Sequence, residues 1–141
     1  MIKRLVIAIV VAYFVLMGTN WLVHGVILMP DYNAIPDSHR SPDDIQRRMW
    51  VMAIGQFLFA ALFTYIYTKG AETKPWVAQG IRYGLLMTFF TVVPYSLSEY
   101  VTYVIPHTLA IKWMVFGAIQ LVILGLLVAA IWSQPSHSQS S

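Results

Sequence analysis

Long apolar runs separated by short polar ones set the pattern of this chain. Four runs, about 5–29, 49–68, 80–104 and 107–132, reach the roughly 20 mostly apolar residues that carry a helix across a bilayer. Start signals carry the second back to 42. Ser41 suits the N-cap, Pro42 the first helical position, and Asp43 and Asp44 complement the helix dipole. Helices over about 5–29, 42–68, 80–104 and 107–132 are therefore expected. The fold class is all-α, a four-helix transmembrane bundle forming one domain over 1–132, and the polar run 133–141 (SQPSHSQSS) reads as a disordered tail.

Composition supports the bilayer as solvent. Of 141 residues, 58% are hydrophobic and 11% charged, with mean hydropathy +0.65, against roughly 25% charged in ordinary soluble domains. Lys3 and Arg4 ahead of the first run imitate a secretion signal. That run is longer than a signal core of about 7–15 residues and shows no small-x-small cleavage site, so a retained helix is expected. The absence of cysteine excludes disulfides and thiolate metal sites. The net charge of +3 comes from cations scattered over loop ends, which excludes a nucleic-acid patch and reads as membrane anchoring.

Lys3, Arg4, Lys69, Lys74 and Arg82 share one side of this topology, while Arg40, Arg47 and Arg48 share the other with four aspartates. The positive-inside rule then places both termini in the cytoplasm and the loop 30–48 outside. Trp50 and Trp113 fall near the outer interface, and Tyr65, Tyr67, Trp76 and Trp132 near the inner one, as aromatic belts do. The run 26–30 (VILMP) and the run 102–106 (TYVIP) end the first and third helices alike, which raises the idea of two related hairpins.

Depth measured from the outer turns at 1.5 Å per residue gathers a polar layer from all four helices. Asn20 and His24 come from the first, Gln56 from the second, Tyr95 and Glu99 from the third, and Lys112 from the fourth, with Gln120 below it. Glu99 and Lys112 flank the turn at Ile105 and Pro106 and are expected to pair side by side. Pro94 frees a backbone carbonyl beneath this layer. Three readings stay open: interhelical glue, a ligand site facing outward, or charges that snorkel to head groups. His24 with His107 as haem ligands is disfavoured by unequal depth, and zinc on His24, Glu99 and His107 lacks a recognised spacing. No cofactor and no metal is expected. Ser96 and Ser98 near Glu99 and His24 form no hydrolase motif, and no catalytic residue is assigned.

Gly80 and Gly84, and Gly125 and Ala129, are small-xxx-small steps that read as helix-packing surfaces, the second also serving as a candidate dimer face. Gly70 reads as the C-cap of the second helix, and Arg82 as a partner for Glu72 across the inner loop.

The run 65–72 (YIYTKGAE), then Lys74, Pro75 and Trp76, then 80–84 (GIRYG), resembles small four-helix bacterial membrane proteins of unassigned function. The segment from Lys112 and Trp113 through Gln120 to Ala130 fits the same resemblance, which covers about half the chain. It implies four spans in the bacterial inner (cytoplasmic) membrane and no activity.

The resulting expectation is a multi-pass, non-enzymatic accessory subunit, or a small-ligand or lipid-binding module. Its site is the outer layer of Asn20, His24, Gln56, Tyr95, Glu99 and Lys112, with Lys112 attracting an anionic or carbonyl-bearing ligand such as a quinone. Expected partners are the lipid bilayer and either a larger membrane complex or a homo-oligomer, with no nucleic acid. The alternatives are a small proton-coupled carrier acting as an oligomer, against which the apolar inner half counts, and a membrane redox protein or enzyme.

Overall fold

The computed structural model describes residues 1–133; the polar tail expected over 133–141 lies, apart from Ser133, outside the described residues. Helix α1 spans Ile2–Ile27, α3 Pro42–Gly70, α4 Trp76–Thr102 and α5 His107–Ser133, and each is long and apolar enough to cross a membrane. A one-turn helix, α2 (Met29–Asn33), and a 3₁₀ turn at Pro36–Ser38 occupy the loop between α1 and α3. The exterior is apolar. Phe14, Leu62, Phe90 and Val101 all face outward, so a bilayer rather than water is the solvent these surfaces fit.

Local chemistry accounts for most boundaries. Ser41 caps α3 as expected, its Oγ accepting from the Asp44 N–H at 3.3 Å. At the other end Gly70 is the last helical residue and no glycine has positive φ; Ala71 leaves in an extended conformation, so the expected glycine C-cap is not formed. Helix α4 starts four residues earlier than the apolar run, at Trp76, because Pro75 is extended and cannot propagate a helix backward. Pro94 does not break α4. A widened π-turn over Thr88–Val92 precedes it, as expected where a missing N–H and a ring must fit inside a helix. The Thr88 and Thr91 hydroxyls donate to the carbonyls of Gly84 and Met87 just before that turn. A second π-turn, Val23–Ile27, ends α1.

The core runs along α1, α3, α4 and α5 through Ala12, Leu16, Ala60, Phe63, Leu121, Leu124 and Val128. Helix α5 touches both α1 and α4 along its length, and α1 also packs on α3. The closest approach is a glycine seam between α4 and α5. A Cβ on Gly84 would sit 2.5 Å from the Leu121 carbonyl oxygen, and one on Gly125 would sit 2.3 Å from that of Gly80. Gly125 therefore serves packing within the chain. Lipid tails are as apolar as leucine, so helices in a bilayer associate through such close contact rather than by burying apolar area. The two proline motifs end differently: Pro30 lies inside α2, whereas Pro106 precedes α5.

Candidate functional site

The loop end of the bundle carries the polar layer. The loop between α1 and α3 folds back across this end because α2 turns Asp31 and Tyr32 toward α5. Lys112 Nζ donates to Asp31 Oδ1 at 2.7 Å. This corrects the expected Glu99–Lys112 pair: among the described residues no ion pair joins them, and Lys112 is neutralised by an acid that lies 81 positions away. The physical reason is rotational. Equal depth on adjacent helices fixes height and not the direction around each axis, and α2 supplies a carboxylate on the side Lys112 faces.

Beside that ion pair runs a directed chain. The Trp113 indole N–H donates to the Tyr32 hydroxyl at 2.8 Å. The Tyr32 oxygen lies 2.6 Å from His24 Nδ1, and the two rings stack with centroids 6.1 Å apart. A phenol has one proton to give. With Trp113 donating to its oxygen, that proton goes to Nδ1, and His24 is then neutral with its own proton on Nε2. Protonating Nδ1 would aim two donors at one oxygen and leave the phenol proton without an acceptor among these groups. The His39 ring packs against Tyr32 at 4.9 Å and closes the loop over the chain. Burial pushes the Tyr32 hydroxyl above its ordinary value, the Trp113 hydrogen bond pulls it back down, and the Asp31 charge pushes it up. Tyr32 therefore acts here as a neutral relay of hydrogen bonds.

Deeper in, the Gln120 amide donates to Thr19 Oγ1 at 2.6 Å and to Asn20 Oδ1 at 3.0 Å, joining α5 to α1. Asn20 and Gln120 thus hold helices together, the interhelical use of polar groups expected in membranes. Gln56 and Glu99 are half-buried, Tyr95 is exposed, and the side chains of all three are without a hydrogen bond among the described residues. The six predicted residues therefore divide. His24, Asn20 and Lys112 are each tied into a network of their own, while Gln56, Tyr95 and Glu99 are not. No group of three or more metal-ligating side chains converges among the described residues.

Sequence reasoning overlooked Asp31, Tyr32 and Trp113. Only Trp113, next to Lys112, carried a signal in the depth argument; Asp31 and Tyr32 follow the outer turn and reach that level because the loop folds back. By sequence Asp31 and Tyr32 belong to the outer loop, and Trp113 to the aromatic belt. At the basic end, reasoning overlooked Gln79. Its buried amide donates to the carbonyls of Glu72 and Lys74, each at 2.7 Å, and accepts from the Glu72 N–H at 2.8 Å. It holds the loop in which Glu72 meets Lys74 and, at 3.5 Å, Arg82.

Comparison with protein-family models, with curated proteins and with solved structures found no match, so the site is read from its own geometry.

Proposed function

We propose that this chain is a non-enzymatic, membrane-embedded binding module whose recognition end is the polar layer of Asn20, His24, Gln56, Tyr95, Glu99 and Lys112, extended by Asp31, Tyr32 and Trp113. The observation that carries the reading is Glu99. Asp31 and Lys112 neutralise each other, whereas the half-buried Glu99 carboxylate has no partner among the described residues. A lone charge inside a span is costly and marks a site by default. The free group is an acid, so the ligand head is cationic and donates hydrogen bonds, the reverse of what a free Lys112 would attract. An amphiphile reaches that depth laterally from the bilayer. The basic end, with Lys3, Arg4, Lys69, Lys74 and Arg82, is the cytoplasmic one in this reading, and the resemblance of the inner loop to small bacterial membrane proteins supports a bacterial inner membrane. The apolar core beneath the layer, from Leu16 to Val128, favours binding over carriage across the bilayer.

The test uses vesicles of phosphatidylethanolamine and phosphatidylcholine in equal parts, mild detergent extraction, and native mass spectrometry of the lipid that stays bound. The wild type is expected to retain the ethanolamine lipid, whose primary ammonium donates hydrogen bonds, over the quaternary choline lipid. Glu99→Gln is expected to lose that preference. Equal retention of both lipids by the wild type, or a preference unchanged in the variant, overturns the proposal.

A further inference from the structure

The glycine seam leaves a space on the opposite face of α4. Gly80 and Gly84 draw α4 onto α5, so at the basic end α4 stands off α3. Tyr83 spans the gap: its hydroxyl donates to the Phe63 carbonyl at 2.5 Å, and its ring meets those of Phe63 and Tyr67. Below that bridge is a groove of about 240 Å³, walled by Ile66, Tyr67, Tyr83 and Leu86, with Gln79 and Arg82 at its rim. It is smaller than the roughly 300–1,000 Å³ of drug-sized sites, so it suits part of a single chain. Ile66 and Leu86 are both open to the lipid side, so a chain enters from the bilayer without crossing the protein.

The rim is positive. Arg82 lines it, Lys74 and Glu72 lie in the loop that the lining residue Gln79 holds, and Lys3, Arg4 and Lys69 lie at the same end. Glu72 engages Lys74 most closely and Arg82 only at 3.5 Å, so most of the guanidinium's five donors are uncommitted. Gln79 fixes the backbone that carries Lys74. A planar guanidinium beside an ammonium suits a phosphate, which Arg grips through two donors at once.

We propose that this groove is an anionic-phospholipid site, with one acyl chain between α3 and α4 and the lipid phosphate on Arg82 and Lys74. It is separate from the layer around Glu99 and takes the opposite head-group charge. The test reconstitutes the full chain in vesicles of phosphatidylglycerol and phosphatidylcholine in equal parts, extracts it in mild detergent, and weighs the retained lipid by native mass spectrometry. The wild type is expected to keep phosphatidylglycerol. Arg82→Gln is expected to lower that retention about tenfold, as loss of a charge-assisted double contact should. Leu86→Trp fills the groove without changing charge and is expected to lower retention as well; it carries the test alone should Arg82→Gln fail to fold. Excess glycerol phosphate is expected not to displace the lipid. Equal retention of both lipids by the wild type overturns the proposal. So does retention unchanged in Leu86→Trp, or displacement by glycerol phosphate, which would mark a phosphate contact with no chain in the groove.

Discussion

The two faces of α4 solve the same packing problem in opposite ways. Toward α5 it lays Gly80 and Gly84 against backbone, with no room for a single added carbon. Toward α3 it sends one long side chain, Tyr83, across a gap and leaves a groove beside it. In water that gap would be pressed to close by the gain from burying apolar surface. In a bilayer that gain is absent, and only contact itself holds helices together. A helix that leans fully onto one neighbour therefore leaves volume on its other side, and lipid can fill it.

The contrast is broken most severely at the seam. Gly84→Leu should cost about 3 kcal/mol or more, because the new carbon meets main chain that cannot move aside as a side chain could. Thermal unfolding in detergent measures this. Gly18→Ala is the control: it has open space around its Cβ position and should stay within about 0.5 kcal/mol of the wild type. A mild Gly84→Leu would mean that α4 and α5 are not locked together.

On the α3 side the effects shrink and one changes sign. Thr64 is fully buried on α3 and its hydroxyl has no partner among the described residues. Thr64→Val should therefore stabilise by about 1 kcal/mol, by removing an unsatisfied polar group at nearly constant shape. Tyr83→Phe keeps the ring and removes the bridge's hydrogen bond, which should cost about 1 kcal/mol and loosen α3 from α4. Unfolding midpoints of the two variants measure the two effects, of opposite sign.

The loop end offers a sharper pairing test. A double-mutant cycle on Asp31 and Lys112 should return a coupling of about 0.2–1 kcal/mol, since both side chains remain partly exposed. The same cycle on Glu99 and Lys112 should return none. The reverse result would restore the pair expected from depth alone. The smallest effect belongs to Glu72. The Lys74 ammonium, and less strongly Arg82, hold its carboxyl below the ordinary range. A carboxyl lowered in the folded state adds stability above its unfolded value of about 4.3, and that contribution fades as pH falls through the lower folded value. Melting curves in acid should therefore drop slightly less steeply for Glu72→Gln than for the wild type.

Much of this architecture was legible in the chain. Run length set the four spans, Ser41 and Pro42 set the start of α3, and the spacing of Gly80, Gly84 and Gly125 marked surfaces meant for close contact. The Glu72–Arg82 contact was legible too, because a five-residue loop leaves few alternatives. The expected partner of Lys112 was not. Depth along an axis follows from counting residues, at 1.5 Å each. The direction a side chain takes around that axis depends on how neighbouring helices rotate and lean.

The sequence by itself determined that the chain is built of four helices long and apolar enough to span a membrane, with polar groups and all the acids but Glu72 gathered toward one end. Only the tertiary structure decided which of those groups meet. The short helix α2 brings Asp31 to Lys112 and Tyr32 to Trp113 and His24, leaving Glu99 as the acid of the polar layer without a partner among the described residues. Solvent preference acts on each residue locally and can be read one position at a time. A pairing requires two distant positions to share a height, a facing direction and a gap, and those three are set together only when the helices pack.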